Sequence, residues 1–289
     1  MNPAVEQMLS RYTCNNRAEY ERAMKEIIQE IALVGLWRAR FFEHTAFYGG
    51  TALRILYQLD RFSEDLDFAL LKPNPDFSLA PYNEAICSEL RSYGFIVTVD
   101  TKDKQWATPI RSAFIKTGTL GEMLKIGVPK DLLKELHPEA RLKIKVEVDT
   151  HPPPAYRTET HFLVTPVNVG IRAVALEDIF AGKMHALLFR EWKGRVKGRD
   201  WYDWLWLMRQ KATLNLQRLA IHMQEGGVLE KNEKLTLNKF KKLMQTRIDT
   251  VDLESLKADI RPFTQDPLII NAWSKEMLTS FVEKMDIHE

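Results

Sequence analysis

The sequence predicts an α+β protein: a mixed β-sheet with flanking helices, followed by a helical, bundle-like half. Three observations predict it. Strand-type segments, alternating or short and apolar, fall in residues 1–165, interleaved with helical patterns. From about Pro166 onward only helical spacing recurs, which assigns residues 166–289 to a second, helical domain. No internal repeat and no Gly/Ser-rich linker separates the two.

The elements follow in order. Arg17 to Arg40 reads as a helix because Ala23, Ile27, Ile28, Ile31, Val34 and Leu36 recur near helical spacing. The apolar run Ala46 to Tyr48 meets Gly49-Gly50 and then a helical pattern, Thr51 to Leu59, so strand, tight turn and helix are expected. Leu66 to Leu71 is the next strand, and Pro73, Pro75 and Pro81 enforce a break. Asn83 to Ser92 reads as a helix stopped near Gly94. Phe95 to Asp100 and Ile110 to Lys116 read as strands, and Phe162 to Val164 as an edge strand. Leu142 to Asp149 alternates cleanly, with Leu142, Ile144, Val146 and Val148 on one face and Lys143, Lys145, Glu147 and Asp149 on the other. The helical half is read as Ala175–Arg190, Asp200–Arg209, Leu216–Gln224, Asn238–Thr246, Leu253–Ile260 and Leu268–Met285.

Composition narrows the class without naming a partner. The chain has 289 residues, 45% hydrophobic and 28% charged, which is ordinary globular composition. A formal net charge of +2 leaves any nucleic-acid argument to local clusters. Cys14 and Cys87 form neither a disulfide framework nor a zinc motif and suit a reducing compartment. Residues 1–17 lack a secretion signal, and no apolar run approaches the roughly 18–20 residues of a membrane helix. The expectation is a cytoplasmic protein with no membrane partner.

Two motifs carry chemistry in the first half. Asp65 and Asp67 lie two residues apart at a strand start, so their side chains share one face. Carboxylates that close repel each other unless a cation neutralises them, and Mg2+ (or Mn2+) suits hard oxygen ligands completed by water and phosphate. An Asp-x-Asp pair alone is a common surface feature. Gly49-Gly50-Thr51 between strand and helix adds a turn where backbone N–H groups and the helix N-terminus can receive phosphate. Read by themselves, those glycines equally describe a tight turn with a cap.

The third cluster lies in the helical half. Lys183 sits on a helix, followed by the glycine-interrupted basic run Lys193-Gly194-Arg195-Val196-Lys197-Gly198-Arg199 and by Asp200 and Asp203. Lys183 can bind a triphosphate as a point charge, and the basic run can hold a triphosphate or an RNA backbone. Structural alternatives are plain: Asp200 as a helix N-cap worth ~1 kcal/mol, and Asp203 paired with Arg199 for only ~0.3–0.5 kcal/mol. Trp192, Trp201, Trp204 and Trp206 are read as core rather than base-stacking platforms, and His185 as packing. No zinc spacing, Gly-x-Ser-x-Gly elbow or P-loop occurs.

The stretches Tyr48-Gly49-Gly50-Thr51-Ala52-Leu53 and Arg61-Phe62-Ser63-Glu64-Asp65-Leu66-Asp67-Phe68 resemble the signature of the AbiEii/AbiGii toxins, a branch of the DNA polymerase β-like nucleotidyltransferases. The resemblance implies a nucleotidyltransferase-type sheet and transfer of a nucleoside monophosphate from an NTP to a hydroxyl, with release of pyrophosphate. It implies Asp65, Asp67 and, from a neighbouring strand, Asp149 as metal ligands, with Glu147 a weaker candidate. Lys145 would reach phosphate or balance the acids. Gly49, Gly50, Thr51, Ser63, Lys183 and Arg199 would bind nucleotide. Lys183 and Lys197-x-Arg199-Asp200-x-x-Asp203 match the family's later motif, with Trp204 where leucine is usual, and Lys183, Asp200 and Asp203 join the catalytic set. Some relatives modify the tRNA 3′ end as toxins of toxin–antitoxin or abortive-infection systems, which implies an RNA acceptor and an antitoxin encoded nearby. Ser63 lies where some antitoxin kinases phosphorylate. The rival readings are a small-molecule, antibiotic-type nucleotidyltransferase and a non-catalytic NTP- or RNA-binding regulator.

Overall fold

A computed structural model of the chain describes residues 2–102, 108–134, 136–190, 196–264 and 266–288. Its contacts divide into two units, one of Met1–Gln58, Ser63–Pro152 and Glu159–Ala173, the other of Leu59–Phe62, Pro153–Thr158 and Val174–Glu289.

The first unit is built on a sheet. Its elements are α1 (Pro3–Leu9), α2 (Arg17–Arg38), β1 (Thr45–Tyr48), α3 (Gly49–Tyr57), β2 (Leu66–Leu70), α4 (Ala80–Ser92), β3 (Val97–Lys102), β4 (Ile110–Gly118), α5 (Thr119–Lys125), β5 (Arg141–Asp149), β6 (Thr158–Leu163) and β7 (Val169–Val174). The strands lie in the order β3-β4-β5-β2-β1-β7-β6. The pairs β1–β2, β3–β4 and β4–β5 are antiparallel, whereas β2–β5 and β1–β7 are parallel. The sheet is therefore mixed, as the patterning predicts.

Local chemistry explains the boundaries. Asn16 caps α2 by accepting from the Glu19 N–H at 3.0 Å, and Gln58 ends α3 in the left-handed conformation. The apolar positions of α2 are buried, and α2 packs against α4. Ile144, Val146 and Val148 of β5 join Phe47, Leu66 and Phe68 in one apolar core. Three elements of this unit were not anticipated: α1, α5 and β7. The first two are single short helices, and β7 carries Gly170 and Arg172, which blur a strand pattern completed by pairing beside β1.

The second unit is helical: α6 (Leu176–Phe189), α7 (Gly198–Arg209), β8 (Leu214–Asn215), α8 (Leu216–Glu225), α9 (Leu237–Thr250), α10 (Leu253–Ile260), α11 (Pro267–Asn271), α12 (Lys275–Glu283) and β9 (Ile287–His288). The single helix expected over Leu268–Met285 is two. The first ends at Asn271 with Ala272 as its cap, Ser274 caps the second by accepting from the Met277 N–H at 3.2 Å, and Trp273 turns into the core between them. Two outlying segments join this unit through their own bonds. The Phe62 N–H donates to the Phe263 carbonyl at 2.8 Å, and the Arg218 guanidinium donates to the carbonyls of Pro153 and Pro154. Among the described residues no helix is long and apolar enough to cross a membrane.

Candidate active site

The glycine turn and the paired aspartates meet in the first unit. Antiparallel pairing sets Tyr48 opposite Asp67, so the chain enters α3 beside that carboxylate. Gly49 has φ +82°, and a Cβ there would lie 2.6 Å from Asp67 Oδ2. The absent side chain is thus what makes room for the carboxylate at the N-terminal end of α3. Asp65 and Asp67 flank Leu66, which is buried in the core; alternation along β2 directs Asp67 to the opposite face, and Asp65 stands immediately before the strand. Thr51 is fully buried and its hydroxyl donates to the Asp65 carbonyl. Its proton therefore organises the loop, leaving backbone N–H groups as the turn's donors for an anion. Ser63 is also buried, at 8% exposure, a poor position for modification in this conformation.

The parallel register decides which acid of β5 neighbours this pair. Asp67 is level with Glu147, and Asp149 is level with Ala69. All three project from the same face, but strand spacing near 4.8 Å and a rise near 3.3 Å per residue put the Asp67 and Asp149 Cα atoms about 8 Å apart. Glu147 accepts from Ser112 Oγ at 3.1 Å and pairs with Lys145 at 2.8 Å. Asp149 accepts from the His151 N–H at 2.9 Å, and burial outweighs that bond to push its pKa up. Among the described residues no three metal-type side chains cluster. The chemistry of the donors still fits Mg2+ or Mn2+, which takes one or two carboxylates and leaves other positions to water and phosphate.

A charged network occupies the second unit. Asp203 is fully buried and receives a fork from Arg61, with Nε at 2.6 Å and Nη2 at 2.7 Å. Lys183 Nζ lies 2.7 Å from Asp203 Oδ2 and 3.9 Å from Asp200 Oδ1. Burial alone would raise the Asp203 pKa, but Arg61 and Lys183 outweigh it and hold the carboxyl below its usual range. Asp203 is thus no surface partner of Arg199, and Asp200 stands beside Lys183 with less of its charge committed. Arg199 lies over the Phe263 ring, 4.2 Å from its centroid. Lys197 is pulled down to about 8, first by burial and further by Arg190, Lys183 and Arg199, against the favourable Asp200.

Gly198 explains how α7 enters this network. A Cβ there would fall 2.2 Å from the Leu256 carbonyl, and the Gly198 N–H donates to Asp259 at 2.9 Å. Trp201, Trp204 and Trp206 are core, as expected. Trp192, Lys193, Gly194 and Arg195 lie outside the described residues. His185 packs against His222 and Phe189.

Sequence reasoning gave no role to Arg61 or Gln29. Arg61 entered only as a letter of the motif. Gln29 was hidden in a helix read by its apolar spacing, although Glu26, Gln29 and Glu30 form a buried polar group on α2.

A family model described as nucleotidyl transferase AbiEii toxin, type IV TA system, matches residues 31–281. The fold is similar to MenT4, a nucleotidyltransferase toxin from Mycobacterium tuberculosis H37Rv, with TM-score 0.59 and 16% identity over 97% of this chain and 90% of that one. JHP933 from Helicobacter pylori aligns with TM-score 0.45 and 17% identity over 91% and 89% of the two chains. Another H. pylori structure, a putative nucleotidyltransferase, gives 0.42 and 19% over 97% and 93%. No curated protein sequence matches.

Proposed function

The chain belongs to the AbiEii nucleotidyltransferase toxin family of type IV toxin–antitoxin systems, and from that premise we propose that it moves a nucleoside monophosphate from an NTP to a hydroxyl of RNA, at the tRNA 3′ end, in the cytoplasm. The observation that carries this reading is the contact between Gly49 and Asp67. A phosphate-accepting helix start and an Asp-x-Asp strand are folded against each other, with no side chain between them.

The division of labour follows from the chemistry of each group. Backbone N–H groups at Gly50 and Thr51 receive the phosphate tail, where the helix dipole favours negative charge. Asp65 and Asp67, with a third carboxylate from β5, would hold Mg2+ or Mn2+, which would neutralise phosphate charge and polarise the attacking hydroxyl. Asp149 is the β5 acid that the family resemblance implies, and Glu147 is the one level with Asp67. The family resemblance gives Lys183 and Arg199 the role of nucleotide-binding cations, and within the helical unit Asp203 holds Lys183 at 2.7 Å, with Asp200 farther off at 3.9 Å. An antitoxin is the expected regulatory partner; control through Ser63, the position the resemblance implies, requires that this buried hydroxyl first become exposed.

Incubation with each α-labelled NTP, Mg2+ and total tRNA, beside an Asp65→Ala control, tests the proposal. Label in tRNA that needs Mg2+ and Asp65 supports it. Label in a small hydroxyl acceptor, or nucleotide binding without transfer, refutes the RNA assignment.

A further inference from the structure

The chain entering β2 presents three successive carbonyls, and each accepts from a side chain of a helix in the same unit. Gln29 Nε2 donates to Ser63 O at 3.2 Å and to Glu64 O at 2.8 Å, and the Thr51 hydroxyl donates to Asp65 O. Gln29 is fully buried, and its Oε1 has no donor among the described residues. A buried acceptor left unpaired costs stability, so the amide is held here by its two N–H bonds alone. Its neighbours on α2 act on the same motifs. Lys25 pairs with Glu64 at 3.1 Å, and both carboxylate oxygens of Glu26 accept from Arg54 Nε on α3, at 3.1 and 2.9 Å.

Backbone held at 63, 64 and 65 fixes the direction in which the Asp65 and Asp67 side chains leave the strand start. We infer that Gln29 is a positioning residue for the Asp65–Asp67 carboxylates, acting through the Ser63 and Glu64 carbonyls. The inference rests on the functional reading above only for the use made of those carboxylates. Asp65 and Asp67 hold the cation in that reading, and Gln29 touches neither the cation nor the phosphates.

Gln29→Met keeps the volume and removes both donors, and Gln29→Glu sets a carboxylate against the two carbonyls. Mn2+ alone is titrated into the full chain and followed by its electron paramagnetic resonance signal. Hydrogen exchange of the peptide over residues 62–68 is measured on the same samples, with Asp65→Ala as control. Loss of a group that orients a ligand commonly weakens metal binding about 10–100-fold, and a loss of that size is expected in Gln29→Met, with faster exchange over 62–68 and a lowered but still cooperative thermal transition, because both carbonyls lose their donor. Gln29→Glu is expected to be weaker still. Wild-type Mn2+ affinity and exchange in both variants overturn the inference. So does failure of both to fold, which assigns Gln29 to the core alone. If the wild-type chain binds no Mn2+, the metal-dependent reading fails separately, and exchange over 62–68 still decides for or against Gln29.

Discussion

Arg61 and Asp203 form a fully desolvated, two-pronged ion pair, 142 residues apart in sequence, in which both carboxylate oxygens take a guanidinium N–H. The same carboxylate holds Lys183. A residue three positions ahead in the motif, Asp200, is left as the acid beside Lys183 at longer range. The physical division is clear. Asp203 is saturated by two cations and excluded from water, which suits holding Lys183 in place. It does not suit exchange of ligands during turnover.

Removing one partner of such a pair leaves an uncompensated buried charge, commonly at a cost of about 3–5 kcal/mol. Asp203→Asn is expected to show that loss in urea unfolding, because both Arg61 and Lys183 lose their partner. Arg61→Met is expected to lose less, since Lys183 still neutralises Asp203, and the double variant is expected to be non-additive. Additive single effects would show that the pair is not coupled. The pH sign follows from the lowered Asp203 pKa. The contribution is complete above the unfolded aspartate value near 3.9. It is lost as pH falls through the lower folded value.

Gly49→Ala tests the contact between turn and strand. The new Cβ would meet Asp67 Oδ2 at 2.6 Å in a backbone of φ +82°. A left-handed non-glycine residue costs about 1–3 kcal/mol, whereas displacing a metal-binding carboxylate is expected to remove nucleotidyl transfer almost entirely. Unfolding and labelled-NTP assays on one preparation separate the two. Full activity in a folded Gly49→Ala protein would sink the proposed site.

Glu147→Gln and Asp149→Asn ask which β5 acid serves the aspartate pair. Because Glu147 is level with Asp67 and Asp149 is one pair further along, Glu147→Gln is expected to raise the Mg2+ needed for half-maximal turnover more than Asp149→Asn does. The reverse order would assign the role to Asp149.

Lys197 is expected to give NTP binding a basic limb in pH. Its pKa, pulled down to about 8 chiefly by burial, means its charge is lost as pH rises through that value. If it supports phosphate binding, the KM for NTP is expected to rise above about pH 8, and Lys197→Met to abolish that rise. Stability moves the opposite way. Between about 8 and the unfolded lysine value near 10.4, the unfolded chain holds more protons, so folding strengthens with pH.

The stacked rings of His185 and His222, 5.6 Å apart, set an acid limit on the helical unit. Burial, with Arg218 and His185 adding to it, lowers His222 to about 3, and burial with Arg190 lowers His185. Both folded values lie below the unfolded 6.5, so stability present above that pH is expected to decline from about 6.5 toward 3. Thermal midpoints across that range measure the slope, and His222→Phe is expected to flatten it.

Much of this was legible from local pattern. The strict alternation of Leu142 to Asp149 identified β5, and the helical spacing from Ala23 to Leu36 identified α2. Gly49-Gly50 between an apolar run and a helical pattern marked the turn, because glycine and hydropathy signals act within a few residues. The break at Ala272–Ser274 was not legible, since Ser274 and Trp273 interrupt the helix only through capping and burial.

Residue pattern alone was enough for the mixed sheet followed by helices, the glycine turn, the paired aspartates and the chemistry those residue types permit. It took the folded chain to put Glu147 rather than Asp149 level with Asp67, to spend the donors of Thr51 and Gln29 on loop carbonyls, and to bring Asp203 to Arg61. Strand register and buried ion pairs join residues that are distant along the chain. Periodicity reports which face a side chain takes, but not which distant side chain meets it there.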